Sequence, residues 1–549
     1  MRARRAASRL CLAVGGSLCL LASAVPPALA GRTGTTVYTN VRTGTLAPAS
    51  ALPAAAAPFS TASTRSRAVR RPGRRLAAAA PTAAPLAPAS ALAGASGSQL
   101  VNFNGVSSRD SAETNFAHQF EPPDQGLCAG NGFVLEMVNS AYTVFDEHGH
   151  ALAGPFNVNG PFDEGLTEFT SDPRCYYDAA DHTWFATILA LNPEETASTL
   201  DIAVNPSGDP RTAWTVYKLD TTANGGKGQP KDKECPCFGD QPKLGWDGEN
   251  IYVATDEFSI KGPQFNGDQI YAFAKKDLVA LSGAVHFVQF RNLSIGGAPA
   301  GVVQPALTTG KAPAEWFLNS IDPTETFDQR VGVWALSEGA KVGEGGVPKL
   351  SSVVIGTEAF GVPPGGEQKG ANSLIETGDD RMQQAQSIGG SVWGELTTAL
   401  NLPGDPQQRS GAAWFRVKPS LSQGLISDAK LQQQGYVAVA GNYLTYPALQ
   451  LTRAGRGAMV FTITGAKLFP SAAYATLAPE ASEFGPVTIA AKGTTFYDPE
   501  AERWGDYSFA VLDPTREAAW LATEYVPPKA SRTLNGERDW GTRVLEVEP

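Results

Sequence analysis

One unit recurs along most of this chain: a turn carrying Asp or Gln-Pro, a short β-like run, a second turn with Asp, and a run opening on an aromatic. The clearest copies are Asp172-Pro-Arg-Cys-Tyr-Tyr-Asp178 leading to Trp184, Asp240-Gln-Pro-Lys-Leu-Gly-Trp-Asp247 leading to Tyr252, and Asp506-Tyr-Ser-Phe-Ala-Val-Leu-Asp513 leading to Trp520. Looser copies put the aromatic at Phe133 (after Asp124), Trp316 (after Gln304-Pro-Ala-Leu), Trp393 (after Asp380) and Tyr436. Apart from the 43 residues between Trp393 and Tyr436, the spacings run from 51 (Phe133 to Trp184) to 84 (Tyr436 to Trp520) and exceed the ~40–50 of compact propeller repeats, so several copies carry insertions. A four-stranded sheet cannot bury both faces alone, and stacking blades around an axis solves that while leaving only short, protected edges.

The repeat therefore predicts an all-β fold: a single β-propeller over residues 99–549, of seven blades, with six as the alternative. Two β-sandwiches are the runner-up, disfavoured because the unit recurs from Asp124 to Trp520. Each opening aromatic should pack between neighbouring blades, and Val544–Val547 should pair near Leu100–Phe103 to close the ring. Composition agrees: 57 Gly, 40 Pro and only 18% charged residues among 549 do not suit a coiled coil or helical bundle.

Charge divides the chain. Residues 1–98 hold twelve arginines, no lysine and no acid, while the rest carries 32 basic and 54 acidic side chains. So acidic a body repels phosphate backbones and anionic membranes, which argues against nucleic acid as a partner. Arg2, Arg4, Arg5 and Arg9, the apolar stretch Leu10–Ala24 and Ala28-Leu-Ala30 read as a signal peptide over 1–30, so a secreted, extracellular protein is expected. No later run approaches the ~20 apolar residues of a membrane span. Residues 31–98, mostly Ala, Pro, Ser, Thr and Arg, read as a disordered low-complexity linker that cannot bury enough apolar area to order itself. Its arginines Arg65, Arg67, Arg70, Arg71, Arg74 and Arg75 suit a solvated tether, an acidic polymer or a processing site.

Beyond the signal, Cys128, Cys175, Cys235 and Cys237 remain. In an oxidising compartment they are expected as disulfides, and Cys235-Pro-Cys237 is spaced too tightly for half of a tetrathiolate zinc centre. Cys128 and Cys175 follow Asp124 and Asp172 at nearly equal distances, so pairs Cys128–Cys175 and Cys235–Cys237 suit the repeat.

Asp178, Thr183 and Trp184 resemble the Asp, Thr and Trp of the Asp-box turn of sialidase-like, BNR-type propellers, with one extra residue between Asp and Thr. Tyr176 and Ala180 depart from that pattern, and Trp504-Gly-Asp-Tyr-Ser508 is similar to a segment of uncharacterised exported propeller proteins. The resemblance implies a secreted propeller and, for a sialidase, an arginine cluster clamping a carboxylate beside a tyrosine nucleophile. The matching candidates here are Arg174, Arg381, Arg503 and Tyr507. No Arg-Ile-Pro segment accompanies them, and each arginine stands beside an acid, as structural ion pairs do.

Inner strands lining the axis would gather the acids at the repeat starts, Asp124, Asp172, Asp240, Asp380 and Asp506. Crowded carboxylates need a cation or basic partners. Calcium is the expected metal, with those five acids as ligands, and Arg174, Lys243 and Arg381 are the competing solution. The plain alternative is that each Asp bonds its own turn backbone. Second-strand acids Glu136, Asp256, Glu257, Glu395 and Glu524 are expected as edge protection or as glycosidase carboxylates. His118, His148, His150, His182 and His286 form no metal spacing, and no H-E-x-x-H, G-x-S-x-G or P-loop occurs.

The sequence thus predicts a secreted, monomeric propeller that binds a glycan or peptide at its axial mouth through Asp172, Arg174, Asp240, Lys243, Asp380, Arg381 and Asp506. The alternative is a sialidase-like glycoside hydrolase.

Overall fold

The computed structural model describes residues 34–52, 83–92, 97–116, 120–226, 228–321, 327–498, 503–529 and 538–549. Residues 1–30, expected as a signal peptide, the arginines of 65–75 and His118 lie outside them. Among the described residues no helix is long and apolar enough to cross a membrane.

Seven four-stranded antiparallel sheets follow one another, so the fold is a seven-bladed β-propeller. The innermost strands of blades 1 to 7 are Gly126–Gly130, Phe169–Asp178, Cys237–Trp246, Gln304–Thr308, Met382–Ile388, Tyr443–Leu451 and Phe509–Leu512. The second strands are Phe133–Val138, Thr183–Leu191, Asn250–Ser259, Glu315–Ser320, Ser391–Leu400, Gly457–Gly465 and Ala519–Tyr525. Inner strands of neighbouring blades run parallel and touch, Trp246 beside Leu307 and Ala306 beside Ala385, as they do when strands line a shared axis.

Blade 7 is completed by the other end of the chain. Ser98–Ser107 pairs antiparallel with Gly541–Glu548, Phe103 opposite Val544, which removes the free edges a linear array would expose. This is the closure expected from the sequence.

The aromatics do separate the blades. Trp520 packs against Leu127, Ala129 and Val134 of blade 1, Tyr252 against Phe317 and Trp334 of blade 4, and Trp316 among residues of blade 5. Two assignments need correction. Tyr436 lies on the fourth strand of blade 5, Leu425–Val437, and the second strand of blade 6 opens on Gly457-Ala458 with no aromatic. Trp184 sits one position off the repeat: it faces blade 1, while its neighbour Phe185 fills the slot towards blade 3.

The second turn Asp of each clear copy caps its hairpin. Asp178 Oδ1 accepts from Ala180 N–H, Asp247 Oδ1 from Glu249 and Asn250, and Asp513 Oδ1 from Thr515 and Arg516. Asx side chains favour such turns because they satisfy backbone donors locally.

Part of the segment expected as a linker is ordered. Thr36–Tyr38 adds a fifth, outer strand to blade 4, Val41–Leu46 to blade 3 and Pro48–Leu52 to blade 2. Farther on, Ala87 N–H donates to the Asn401 carbonyl, Ser90 N–H to Ala438, and Val487 N–H to Ala91, so residues 84–92 lie along blades 5 and 6. Composition hid this because edge pairing uses backbone groups, which any sequence carries.

Both expected disulfides are present. Cys128–Cys175 joins the inner strands of blades 1 and 2, and Cys235–Cys237 stands at the entrance to blade 3.

Candidate functional site at the propeller axis

The inner strands begin irregularly. Asp172, Gln241 and Tyr446 each precede a proline, adopt φ of 60°, 48° and 52°, and mark a break in register with the second strand. Asp124 and Val302 take φ of 49° and 50° at the starts of blades 1 and 4. Left-handed conformations are uncommon for such residues and bulges re-aim side chains. The register also corrects the repeat alignment: the partner of Asp172 in blade 3 is Gln241, so Asp240 corresponds to Ser171.

The structure brings most of the singled-out residues together. Tyr507 of blade 7 donates its hydroxyl to Asp172 of blade 2, and since blade 1 stands between those two, this bond spans the end of the axis. The Arg174 guanidinium lies 3.5 Å from the centre of the Tyr507 ring and donates to the Gln125 carbonyl at 2.9 Å. Asn139 of blade 1 binds Asp124 Oδ2 at 2.9 Å and accepts the Asp172 N–H at 2.9 Å. Asp124, Asp172, Arg174 and Tyr507 are all buried.

Around this floor stand partly exposed groups. Arg503 binds Asp506 at 2.7 Å and approaches Glu376 at 3.8 Å. Arg381 grips Asp379 through two contacts of 2.7 Å, so its partner is Asp379, while the neighbouring Asp380 is fully buried. On the blade 3 side, Lys243 Nζ lies 2.9 Å from Asp256 Oδ2 and 4.0 Å from Asp268 Oδ2, all three buried.

Burial, with crowding second, raises the carboxyl groups. Burial, then Asp506 and Asp172, pushes Asp124 up. Burial raises Asp172 against the opposing Tyr507 hydroxyl. Asp240 is pushed up to about 7 by burial and by Asp172, Asp256 and Asp506, with Lys243 opposing. Burial also raises the Tyr507 phenol, Arg174 opposing. A carboxyl whose folded pKa exceeds its unfolded value holds a proton that the unfolded chain releases, so stability falls as pH rises from about 4 towards 7. Melting scans should show a higher Tm at pH 5.5 than at pH 8, and Asp240→Asn should flatten that difference; an unchanged slope would contradict the burial of this carboxyl.

The second-strand acids are not edge protectors. Asp256 accepts Val302 N–H at 3.0 Å and Glu395 accepts Leu449 N–H at 3.3 Å, each from the start of the next blade, while Glu136 accepts Val106 N–H at 2.7 Å and Glu524 accepts Gly505 N–H at 3.2 Å. All are buried. They act as latches on irregular backbone, and a buried N–H needs such a partner.

The carboxylates do not form a ready calcium cage. Calcium takes six to eight oxygens, yet Asp506 is held by Arg503, Asp172 by Tyr507 and one oxygen of Asp124 by Asn139. Among the described residues, no three axial acids bring oxygens within 4.8 Å of one another. Arg503, Arg174 and Lys243 offset part of the charge on Asp506, Asp172 and Asp256.

Sequence reasoning missed Asn139, Glu376, Asp379, Asp268 and Tyr446. The Tyr446-Pro447 step matched Asp172-Pro173 and was the available signal; Asn139, on no repeat motif, had none.

No family model matches this sequence, and no curated protein matches it. Among solved structures it is similar to an endo-1,5-α-L-arabinanase from Thermotoga petrophila (TM-score 0.30, 9% identity, covering 82% of this chain and 100% of that one). It is similar also to an α-L-arabinanase of Penicillium chrysogenum complexed with arabinobiose (0.28, 12%, 68% and 92%) and to a family 43 β-1,3-galactosidase with galactodeoxynojirimycin (0.30, 10%, 59% and 96%). At such scores and identities the likeness transfers neither residues nor chemistry.

Proposed function

We propose that this is a secreted propeller that binds a glycan at its axial mouth. The observation that carries the reading is the convergence of ionisable side chains from blades 1, 2, 3 and 7 on one end of the axis, spanned by the Tyr507–Asp172 bond. Carboxylates and guanidiniums that hold one another in place present fixed acceptors and donors, and sugar hydroxyls can satisfy both. The partly exposed Asp506, Arg503, Asp379 and Arg381 are the contact groups of this reading, and the buried floor orients them. The acid surplus disfavours anionic ligands.

A glycan array with the full chain, followed by calorimetric titration, tests it. Binding of a neutral or basic glycan is expected. Asp506→Asn should weaken it about 10- to 100-fold, the worth of one hydrogen bond to a charged group, and EGTA should leave it unchanged. No bound glycan, or an indifferent Asp506→Asn variant, would overturn the proposal; loss of binding in EGTA would restore calcium.

One observation favours a second reading, glycoside hydrolysis: a carboxyl held at about 7 among other carboxylates, Asp240, suits a general acid. The sialidase-type version is less favoured, because a sialic carboxylate would compete with Asp379 and Asp506 for Arg381 and Arg503. Turnover of fluorogenic glycosides, abolished by Asp240→Asn or, for a sialoside, by Tyr507→Phe, would replace the binding proposal with catalysis.

A further inference from the structure

The two disulfides are built for different purposes. Cys128–Cys175 closes a sequence separation of 47 and is completely buried between two blades, as a structural bridge is. Cys235–Cys237 spans a separation of 2, so it restricts the unfolded chain very little, and loop closure is the main route by which a disulfide stabilises. Nor is it needed to hold its own segment. Cys237 N–H donates to the Thr222 carbonyl at 2.8 Å, Ile260 N–H to the Pro236 carbonyl at 2.9 Å, and Ser259 Oγ to the Glu234 carbonyl at 2.6 Å. These hydrogen bonds already fix residues 234–237.

The two sulfurs differ in access. Cys237 is fully buried at the first position of the blade 3 inner strand, whereas Cys235 is half-buried and follows the exposed Lys233 and Glu234. Glu257, itself buried, lies on the adjoining second strand. Its carboxylate and both Sγ atoms lie within 4.8 Å of one another, the one such cluster of Cys, His and acidic groups among the described residues. Asn266 Nδ2 donates to Glu257 Oε1 at 3.1 Å and stands 3.7 and 3.6 Å from the sulfurs of Cys235 and Cys237, so it fixes the carboxyl against the disulfide.

We propose that Cys235–Cys237 is a thiol–disulfide exchange site, attacked at Cys235 by a small thiol, with Glu257 delivering the proton to the departing Cys237 sulfur. The incoming thiolate forms a bond to Cys235 Sγ as the Cys235–Cys237 bond breaks. Cys237 leaves as thiolate and takes the Glu257 proton, which the carboxylate regains from solvent. A second thiol then attacks the mixed disulfide at the sulfur of the first, releasing a small-molecule disulfide and Cys235 as thiolate. Two thiols are oxidised and one protein disulfide is reduced; the reverse sequence oxidises a thiol pair.

The surroundings suit that role. Burial and Asp232 push the Glu257 carboxyl up to about 8, Asn266 and Arg291 opposing, so a proton is present at neutral pH. Tyr271 also faces it, and Arg291 is itself paired with Asp232. Thiol exchange runs fastest when the leaving sulfur is readily accommodated, and a positioned acid accomplishes this.

The experiment uses the full oxidised chain with reduced glutathione as the thiol, acid quenching, alkylation and peptide mass mapping. Cys235 and Cys237 should open while Cys128–Cys175 stays intact and the protein stays folded. In Cys237→Ser, the remaining thiol should form a glutathione adduct with oxidised glutathione at least 10-fold faster than the thiol left in Cys235→Ser. Glu257→Gln should slow opening about 100-fold, within the range of general acid catalysis, at an unchanged Tm. The exchange site is refuted if the bridge opens only on unfolding, or if Cys237 forms the adduct as fast as Cys235. An undiminished rate in a folded Glu257→Gln variant refutes the assigned proton donor.

Discussion

Replacing Lys243 with methionine should destabilise the protein by about 3–5 kcal/mol, because removing one partner of a buried ion pair strands the other. Lys243 is 1% exposed, and the Asp256 and Asp268 carboxylates it faces are 1% and 0% exposed. Those acids also hold the N–H groups of Val302 and Val303 at the start of blade 4, so the stranded charge would act on the seam between two blades. Denaturant unfolding measures the loss. Asp256→Asn in the same chain should recover part of it, since residues in one network do not behave additively. A Lys243→Met cost below about 1 kcal/mol would show that this triad does not hold the seam.

Trp520→Ala should cost about 3–5 kcal/mol, the range for deleting a large buried aromatic. Its ring is fully buried between blade 7 and blade 1, and its Nε1 donates to Asp513 Oδ2 at 3.0 Å. Trp520→Phe keeps most of the apolar contact and loses the hydrogen bond, so about 1–3 kcal/mol is expected. Urea titrations of the three proteins separate the terms. If alanine and phenylalanine cost the same, the apolar filling between blades contributes less than the bond to the turn.

The repeat was readable because an aromatic stands at or near the start of the second strand in six of the seven blades and an Asp caps the turn before it in three. Trp520, Tyr252 and Trp316 were therefore placed correctly. Tyr436 misled because blade 6 fills the slot with Ala458 and packs Met459 and Phe461 elsewhere, so the composition of one blade broke the pattern. At the axis, sequence placed Asp172, Arg174, Asp240, Arg503, Asp506 and Tyr507 in one neighbourhood, yet gave no partners. Whether Arg381 meets Asp379 or Asp380 depends on side-chain direction in a turn, and the one-residue offset between Asp172 and Asp240 depends on a bulge. The outer strands at residues 36–52 were hidden for a different reason: their pairing depends on edges left open by blades 2 to 4, which nothing in the arm's own composition reports.

The pairing of residues 98–107 with 541–548 also sets a schedule for synthesis. At the ~5–20 residues per second of a translating ribosome, strand 98–107 waits roughly 20–90 s before its partner exists. Until then the wheel is an open arc with two unsatisfied ends. A nascent chain of this kind needs something to shield those ends, or a rate of blade formation slow enough that the last strand is never far behind.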